Sequence, residues 1–590
     1  MAIKTKFDSI TVDIIENALK NIKEEMDVTL FRSAMSPVIR EQHDCFPMIT
    51  DPEGKMVVGN FGSHVPEVVA HFPEGIHEGD VIFLSDPYSC GGSISHINDW
   101  MVIVPIFHQD VLVGYSSMFG HVMDVGGPIP SSMPVTADTI FAEGVRYPPV
   151  KLFEGGTLNK AIISIIKANT RTPVENYSDL MGIVASCRTA EKRVKELCER
   201  FGVEVYLGAL DSLLVRTHKM MEHLILNFLP EKPVSFEDYI DDDGLGNGPF
   251  KMKLTIWREG NQAYFDWTGT DPQAPGPINY YLSENMFRMF IGAFLISVFD
   301  PAIMFNDGFY DLLHITTPDK CLLKPEAPAA LGCRTHVLSR LFDVLSGALS
   351  INAPQNSPAA GYGTSPYFIY SGRDDSGRPF HLMEVMYGGL PGRPIGDGLD
   401  GHSWWPAFVN IPTEYLETYY PLRVEYYRTG MDSGGAGLHR GGNCNEKLYT
   451  FLSSGIVSIH DDRAKIQPWG INGGEPGSSS YKVLRKKNGG EIHLESKIDN
   501  VQVEKGDQLL FVTGGSGGWG DPLDRTIENV RLDVLRSLVS IDKAANSYGV
   551  IIDENTMEID HTKTKAQRAS LRASRPALQA FHFGSRSIQP

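Results

Sequence analysis

Between Thr11 and Arg32 the apolar positions Ile14, Ile15, Ala18, Leu19, Ile22 and Met26 recur at helical spacing, with Glu16, Lys20, Lys23 and Glu24 between them. The pattern predicts an amphipathic helix with one face on a core. Met48-Ile49-Thr50, the turn Asp51-Pro52-Glu53-Gly54 and Lys55-Met56-Val57-Val58 predict a hairpin, since Asp, Pro and Gly are the residues a tight turn selects. Further apolar runs read as strands: Val81-Ile82-Phe83-Leu84, Met101 to Ile106, and one beginning at Val111-Leu112-Val113. From about residue 160 to 201 the texture is helical, and Glu191 to Leu197 reads as its solvated face.

From about Lys251 the alternation shortens to that of strands, in Met252 to Trp257 and Gln262 to Trp267. Residues 354 to 442 are dense in Gly, Pro and aromatics, which predicts long ordered loops of the kind that line sites. Short strands return over 445 to 513, Arg525 to Val539 reads as a helix, and the basic, apolar-poor end from His561 predicts a mobile tail. The expected architecture is α+β and multi-domain. An α/β region over 1–250 precedes a mostly β, Gly- and Pro-loop-rich region over 251–525, and a C-terminal helix with a mobile basic tail occupies 526–590. A length of 590 residues fits roughly three to four domains or one large composite one.

Composition narrows the function classes. With 42% hydrophobic and 21% charged residues the chain is globular, and a formal net charge of −19 without a basic stripe argues against nucleic acid. No signal-peptide core and no run of about eighteen apolar residues is visible, so a cytoplasmic protein without membrane association is expected. The seven cysteines are dispersed, with no Cys-x-x-Cys pair, which excludes a zinc ribbon and disfavours a disulfide framework.

Candidate chemistry concentrates in the first quarter. Asp44, His96-Ile97-Asn98-Asp99 and His121-Val122-Met123-Asp124 supply two imidazoles and up to three carboxylates, the ligand types of a borderline divalent ion such as zinc or manganese. His96 and Asp99 sit where a loop containing Gly91-Gly92 becomes a strand, and His121 follows the next strand. If those strands are neighbours, both histidines reach one point. A single His-x-x-Asp is commonly just a core histidine and a turn aspartate, but two copies beside double glycines favour a metal site. Cys45 and Cys90 offer soft ligands or nucleophiles, although free cysteines are more often small buried hydrophobes. Gly515 to Gly520 matches the dinucleotide fingerprint by letter, yet Asp521-Pro522 follows where a helix should continue. No GxxxxGK[ST] loop exists either, so no nucleotide cofactor is expected on this chain.

Other motifs extend along the chain. They include Arg32-Ser33-Ala34-Met35-Ser36-Pro37, Arg40-Glu41-Gln42-His43-Asp44, Asp86-Pro87-Tyr88 and Gly144-Val145-Arg146-Tyr147-Pro148-Pro149-Val150-Lys151. Asp266-Trp267-Thr268-Gly269-Thr270, Asn306-Asp307-Gly308, Asp432 to Gly437, Arg440-Gly441-Gly442 and Gly517 to Pro522 follow. Read in order over roughly residues 8 to 560, they resemble the hydantoinase B and oxoprolinase family. Two departures stand out. Ser89-Cys90 and Ile94-Ser95 lengthen the glycine loop, and His121-Val122-Met123-Asp124 replaces the family's usual His-His-Ala-Asp, removing one histidine.

By this resemblance the metal set is Asp44, His96, Asp99 and His121, holding zinc with manganese or iron as alternatives. Asp124 is then a fifth ligand or a carboxylate that orients an imidazole, and Asp44, His96, His121 and Asp124 are the implied catalytic residues. The resemblance also implies a hydantoinase A-type ATPase partner that holds ATP, in a hetero-oligomer such as a dimer of heterodimers. The implied reaction is ATP-dependent hydrolysis of a cyclic amide, in which a phosphorylated carbonyl meets metal-activated water. Carboxylation of an acetone- or acetophenone-type ketone is the alternative, and a noncatalytic scaffold with a structural metal is a third reading. His402-Ser403-Trp404-Trp405-Pro406-Ala407-Phe408 reads either as a pocket for an apolar or aromatic substrate or as core.

Overall fold

The computed structural model describes residues 8–584 except 63, 352 and 405–407. Contacts divide it into two compact units interleaved along the chain, where the sequence reading divided it contiguously. Unit one comprises residues 1–233, 255–268 and 277–334, and unit two comprises 234–254, 269–276 and 335–590.

In unit one the first amphipathic stretch forms α1 (Ser9–Ser33), burying Val12, Ile15, Leu19, Ile22, Met26 and Leu30. Ile14, expected on the core face, lies on its edge and is 42% exposed. The short helices α2 (Pro37–Arg40) and α3 (Val65–Val69) flank the predicted hairpin of β1 (Cys45–Thr50) and β2 (Met56–Gly59). Then come β3 (Val81–Leu84), β4 (Asp99–His108), β5 (Val111–His121), β6 (Val150–Glu154) and β7 (Thr157–Leu158). These form one sheet of order β2-β1-β5-β4-β3-β6-β7. Every pairing in it is antiparallel.

The long β4–β5 hairpin turns at Gln109-Asp110, both left-handed with φ of 51° and 62°. That is the geometry of a primed turn, formed here without the Asn-Gly or Asp-Gly signal that usually announces one. The helical stretch from residue 160 is broken into α4 (Lys160–Ala168) and α5 (Pro173–Phe201), and α6 (Val203–Phe228) follows Gly202. Pro173 explains the break, because it lacks the N–H an interior position needs but suits a first turn. α1 and α5 pack on the sheet, and Leu19, Leu30, Ile183, Val102 and Met118 share one buried cluster. Gln262–Asp266 adds a further ladder, pairing antiparallel with residues 255–259 and parallel with Leu313–Thr316.

Unit two is mostly β. Pro379–Val385, Tyr367–Arg373, Gly455–His460 and Lys497–Val503 make one sheet. Leu422–Thr429, Asn445–Phe451, Gln508–Val512, Tyr481–Arg485 and Glu491–Leu494 make a second. Phe368, Tyr370, Leu382 and Ile459 of the first share a core with Tyr449, Phe451, Leu484 and Phe511 of the second. The glycine-rich loops pack backbone on backbone: Gly389 N–H donates to Gly514 O, Gly392 to Gly517 O, Gly435 to Ser516 O and Gly442 to Leu390 O. A Cβ at Gly389 would collide with Gly442 O, and one at Gly517 with Trp469 O, so only glycine permits the crossing. This is also the fate of the fingerprint-like Gly515 to Gly520 stretch. Of the aromatic segment His402 to Phe408, residues 405–407 lie outside the described residues.

A fully buried ion cluster sits in the same unit. Arg340 donates to Asp343 at 2.9 Å and to Asp462 at 2.6 Å, while Arg463 donates to Asp238 at 2.9 Å and Asp343 at 2.6 Å. Lys497 reaches Asp462 at 3.2 Å, and Trp469 Nε1 donates to Asp238 at 3.1 Å. The basic C-terminal region, expected to be mobile, is helical over His561–Ser574. Its arginines bind main-chain oxygens: Arg568 that of Arg525 at 2.7 Å and Arg572 that of Leu523 at 2.9 Å. Charge that reads as a solvated tail is therefore spent on anchoring. Phe581–His582 then pairs with Gly470–Ile471, and Phe581 packs on Trp469 and Phe236. No helix among the described residues is long and apolar enough to cross a membrane.

Candidate metal centre

Strand register brings the predicted residues together. Asp99 at the start of β4 lies opposite His121 at the end of β5, and residues directly opposite in a ladder project to the same face. On the other side of β5 the pairing with β1 begins at Cys45↔Gly120, and His121 N–H donates to Asp44 O at 3.0 Å. Asp44, immediately before β1, thus adjoins His121 and Asp99 of the two next strands, although its carboxylate is not one of the ligand atoms that converge. His96 arrives from the loop before β4, where Asp99 N–H donates to His96 O at 3.2 Å. Within that loop Gly92 has φ +81°, and a Cβ there would lie 2.6 Å from Ser283 N, so the close approach requires glycine.

One ligand atom from each of His96, Asp99 and His121 lies within 4.8 Å of the others. His96 Nε2 is 3.0 Å from Asp99 Oδ1, and the two imidazole centroids are 4.8 Å apart. All three residues are buried. Burial lowers the pKa of His96 to about 4 and that of His121 further, which leaves both imidazoles neutral and able to coordinate. Burial pushes the Asp99 carboxyl upward, but His96 and Arg334 outweigh it and hold the group well below the usual range. Asp44 is raised to about 8, first by burial and then by the neighbouring Asp99 charge.

This donor set fits a divalent ion. Neutral nitrogens, an ionised carboxylate and a second carboxyl destabilised by a like charge are the groups a cation relieves. His96 Nδ1 is moreover a buried nitrogen without a hydrogen-bond partner among the described residues.

Asp124 does not join the three clustered ligands. Its carboxylate accepts from Gly126 N at 3.1 Å, Arg171 N at 2.9 Å and Arg171 Nη1 at 2.7 Å, and Asn176 donates to its carbonyl at 2.6 Å. These bonds fasten the segment after β5. Asp124→Asn is expected to leave metal content unchanged while lowering stability by about 1.5–3 kcal/mol, the range for hydrogen bonds to a charged group. Elemental analysis and a denaturation curve on one preparation check both halves.

Cys45 and Cys90 also stay outside the cluster. Burial pushes both thiols up, Cys90 to about 12, and Cys90 Sγ donates to Asp86 O at 3.0 Å. Both behave as buried hydrophobes. Two groups escaped the sequence reading. Arg334 Nε donates to Ser95 Oγ at 2.8 Å, and Ser95 Oγ donates to Asp99 Oδ2 at 3.0 Å. Ser95 adjoins His96 and was within reach of the motif, but nothing local marks Arg334.

The model of the hydantoinase B/oxoprolinase family matches residues 8–522. The chain belongs to this family. Among its hydantoinase B relatives, one component of a putative D-/L-hydantoinase from a Pseudomonas species is 28% identical, covering 95% of this chain and 98% of that protein. The acetophenone carboxylase delta subunit of Aromatoleum aromaticum is 26% identical, covering 89% and 84%. The crystal structure of ATP-dependent caprolactamase from Pseudomonas jessenii superposes with a TM-score of 0.85 at 27% identity, covering 96% of this chain and 100% of that one. The mixed α/β fold is therefore that of a hydantoinase B-type enzyme component.

Proposed function

We propose that this chain is the metal-containing subunit of a cytoplasmic, ATP-dependent cyclic-amide hydrolase of the hydantoinase, oxoprolinase or lactamase type. The observation that carries the reading is the buried convergence of His96, Asp99 and His121 beside Asp44. In this reading Asp44, His96, Asp99 and His121 hold zinc, with manganese or iron as the alternatives. Bound there, such an ion supplies Lewis-acid polarisation of a carbonyl or phosphoryl oxygen and lowers the pKa of water.

The chain's own residues do the rest. His96 and His121 enter as neutral donors, Asp44 gives up its proton to become a second carboxylate, and the buried walls exclude bulk solvent. Asp124 fixes the loop leaving β5 and so holds His121 in place. Phosphorylation of the amide oxygen is assigned to a hydantoinase A-type ATPase partner in a hetero-oligomer such as a dimer of heterodimers. The lack of any GxxxxGK[ST] loop in this chain supports that division.

Ketone carboxylation is the second reading, favoured by the acetophenone carboxylase relative. Isotopes separate the two. Co-expressed with its ATPase partner and given hydantoins, lactams and ketones, the complex is expected to hydrolyse ATP and to place solvent oxygen-18 in a product carboxylate. Incorporation of carbon from labelled bicarbonate into a ketone, with cyclic amides untouched, would replace the hydrolase reading by the carboxylase.

A further inference from the structure

The two oxygens of the Asp99 carboxylate are held differently. Oδ1 lies 3.0 Å from His96 Nε2, and donor atoms about 2.1 Å from one ion stand about 3 Å apart, so this pair has the spacing of two ligands. Oδ2 is engaged elsewhere: Ser95 Oγ donates to it at 3.0 Å and Arg334 Nη2 at 3.4 Å. Arg334 Nε in turn donates to Ser95 Oγ at 2.8 Å. A guanidinium can only donate, so the serine oxygen accepts there and its single hydrogen is directed to Asp99. All three residues are buried. The arginine ends a loop of unit one that is fixed along its length. Tyr88 hydroxyl donates to Ala329 O at 2.9 Å, Asn279 Nδ2 to Ala330 O at 3.1 Å, and Cys333 N–H to Pro277 O at 2.9 Å. Between these, Glu143 Oε1 accepts both Leu331 N–H and Gly332 N–H at 2.6 Å.

We propose that Arg334 and Ser95 are positioning residues that tie down Asp99 Oδ2, so that Asp99 offers a bound ion one oxygen, Oδ1, and not two. The inference rests on the metal reading above. A carboxylate free at both oxygens can swing to chelate and fill a second coordination position. With Oδ2 engaged, that position stays available to water or a substrate oxygen, the condition that separates a catalytic ion from a structural one. Groups that orient a ligand in this way are worth about 10- to 100-fold in metal affinity.

The test uses the full chain and Co²⁺. Competition against a chelating dye reads affinity, and the visible absorption of the cobalt-loaded protein reads how the ligands are arranged. Ser95→Ala and Arg334→Met are each expected to weaken Co²⁺ binding by about tenfold or more and to shift the cobalt bands at equal cobalt content. Because the two side chains act through one chain of bonds, the double variant should lose little more than the worse single one. Ser95→Thr, which keeps the hydroxyl, should restore both readouts. If Arg334→Met does not fold, Ser95→Ala decides alone. Wild-type affinity and bands in Ser95→Ala overturn the proposal, as do losses that simply add in the double variant. Weaker binding with unchanged bands overturns it too, since the two residues would then support the fold and not the carboxylate. A wild-type chain that binds no Co²⁺ would instead overturn the metal reading, and this inference with it.

Discussion

Replacing His121 with alanine is expected to empty the proposed metal centre and to cost the assembled complex at least about a hundredfold in turnover, since even groups behind the ligands are worth 10- to 100-fold. Among the described residues His121 and His96 are the nitrogen donors of the cluster, and both are sealed from solvent. Alanine leaves carboxylates that repel one another around a single imidazole. Uptake by the wild type should also release about one proton at pH 7. The imidazoles are already neutral and Asp99 is already ionised, whereas Asp44, raised to about 8, must lose its proton to bind. Affinity therefore climbs with pH until about 8 and then levels off. Elemental analysis of the variant, and calorimetry of the wild type in buffers of different ionisation enthalpy, read out both effects. Full metal content in His121→Ala, or uptake without proton release, would sink the assignment.

The second large effect concerns unit two. Arg463→Met is expected to destabilise it by about 3–5 kcal/mol, the cost of removing one partner from a buried ion pair. Asp238 and Asp343 lie within 2.9 Å and 2.6 Å of the guanidinium and are buried from solvent. Burial pushes Asp238 upward, but Arg463 and Arg340, which face it, and the Tyr239 N–H, which donates to it, hold it below the usual carboxylate range. For a unit of this size the loss corresponds to a fall in Tm on the order of 10 °C. Differential scanning calorimetry on the full chain measures it; a shift under about 2 °C would mean that water reaches these carboxylates.

What could be read from sequence follows from how local each cause is. The α1 stripe and the Asp-Pro-Glu-Gly hairpin carry their signal within a few residues and form where the pattern puts them, and His96, Asp99 and His121 of the His-x-x-Asp motifs lie together while Asp124 does not join them. Even the convergence of His96 and His121 needed only that β4 and β5 be neighbours. Arg334 is different. It meets Asp99 through a fold in which 235 positions separate the two residues, and no periodicity spans that distance. The glycine-rich stretches were legible as ordered but not as mutual packing, because which backbone each glycine meets is settled only in three dimensions. Arg568 reads as solvated charge since its acceptors are the carbonyls of Tyr548 and Arg525, groups which every sequence has and none displays.

One consequence lies in the order in which the chain is made. Phe236 leaves the ribosome early in unit two, Trp469 much later and Phe581 later still, yet these three rings pack together, and the Trp469 indole seals Asp238 within its ion cluster. Synthesis must pass Phe581 before that aromatic lid can close. Until then the face of Trp469 that Phe581 covers stays open, so the last strand closes a core that the preceding residues of unit two have assembled.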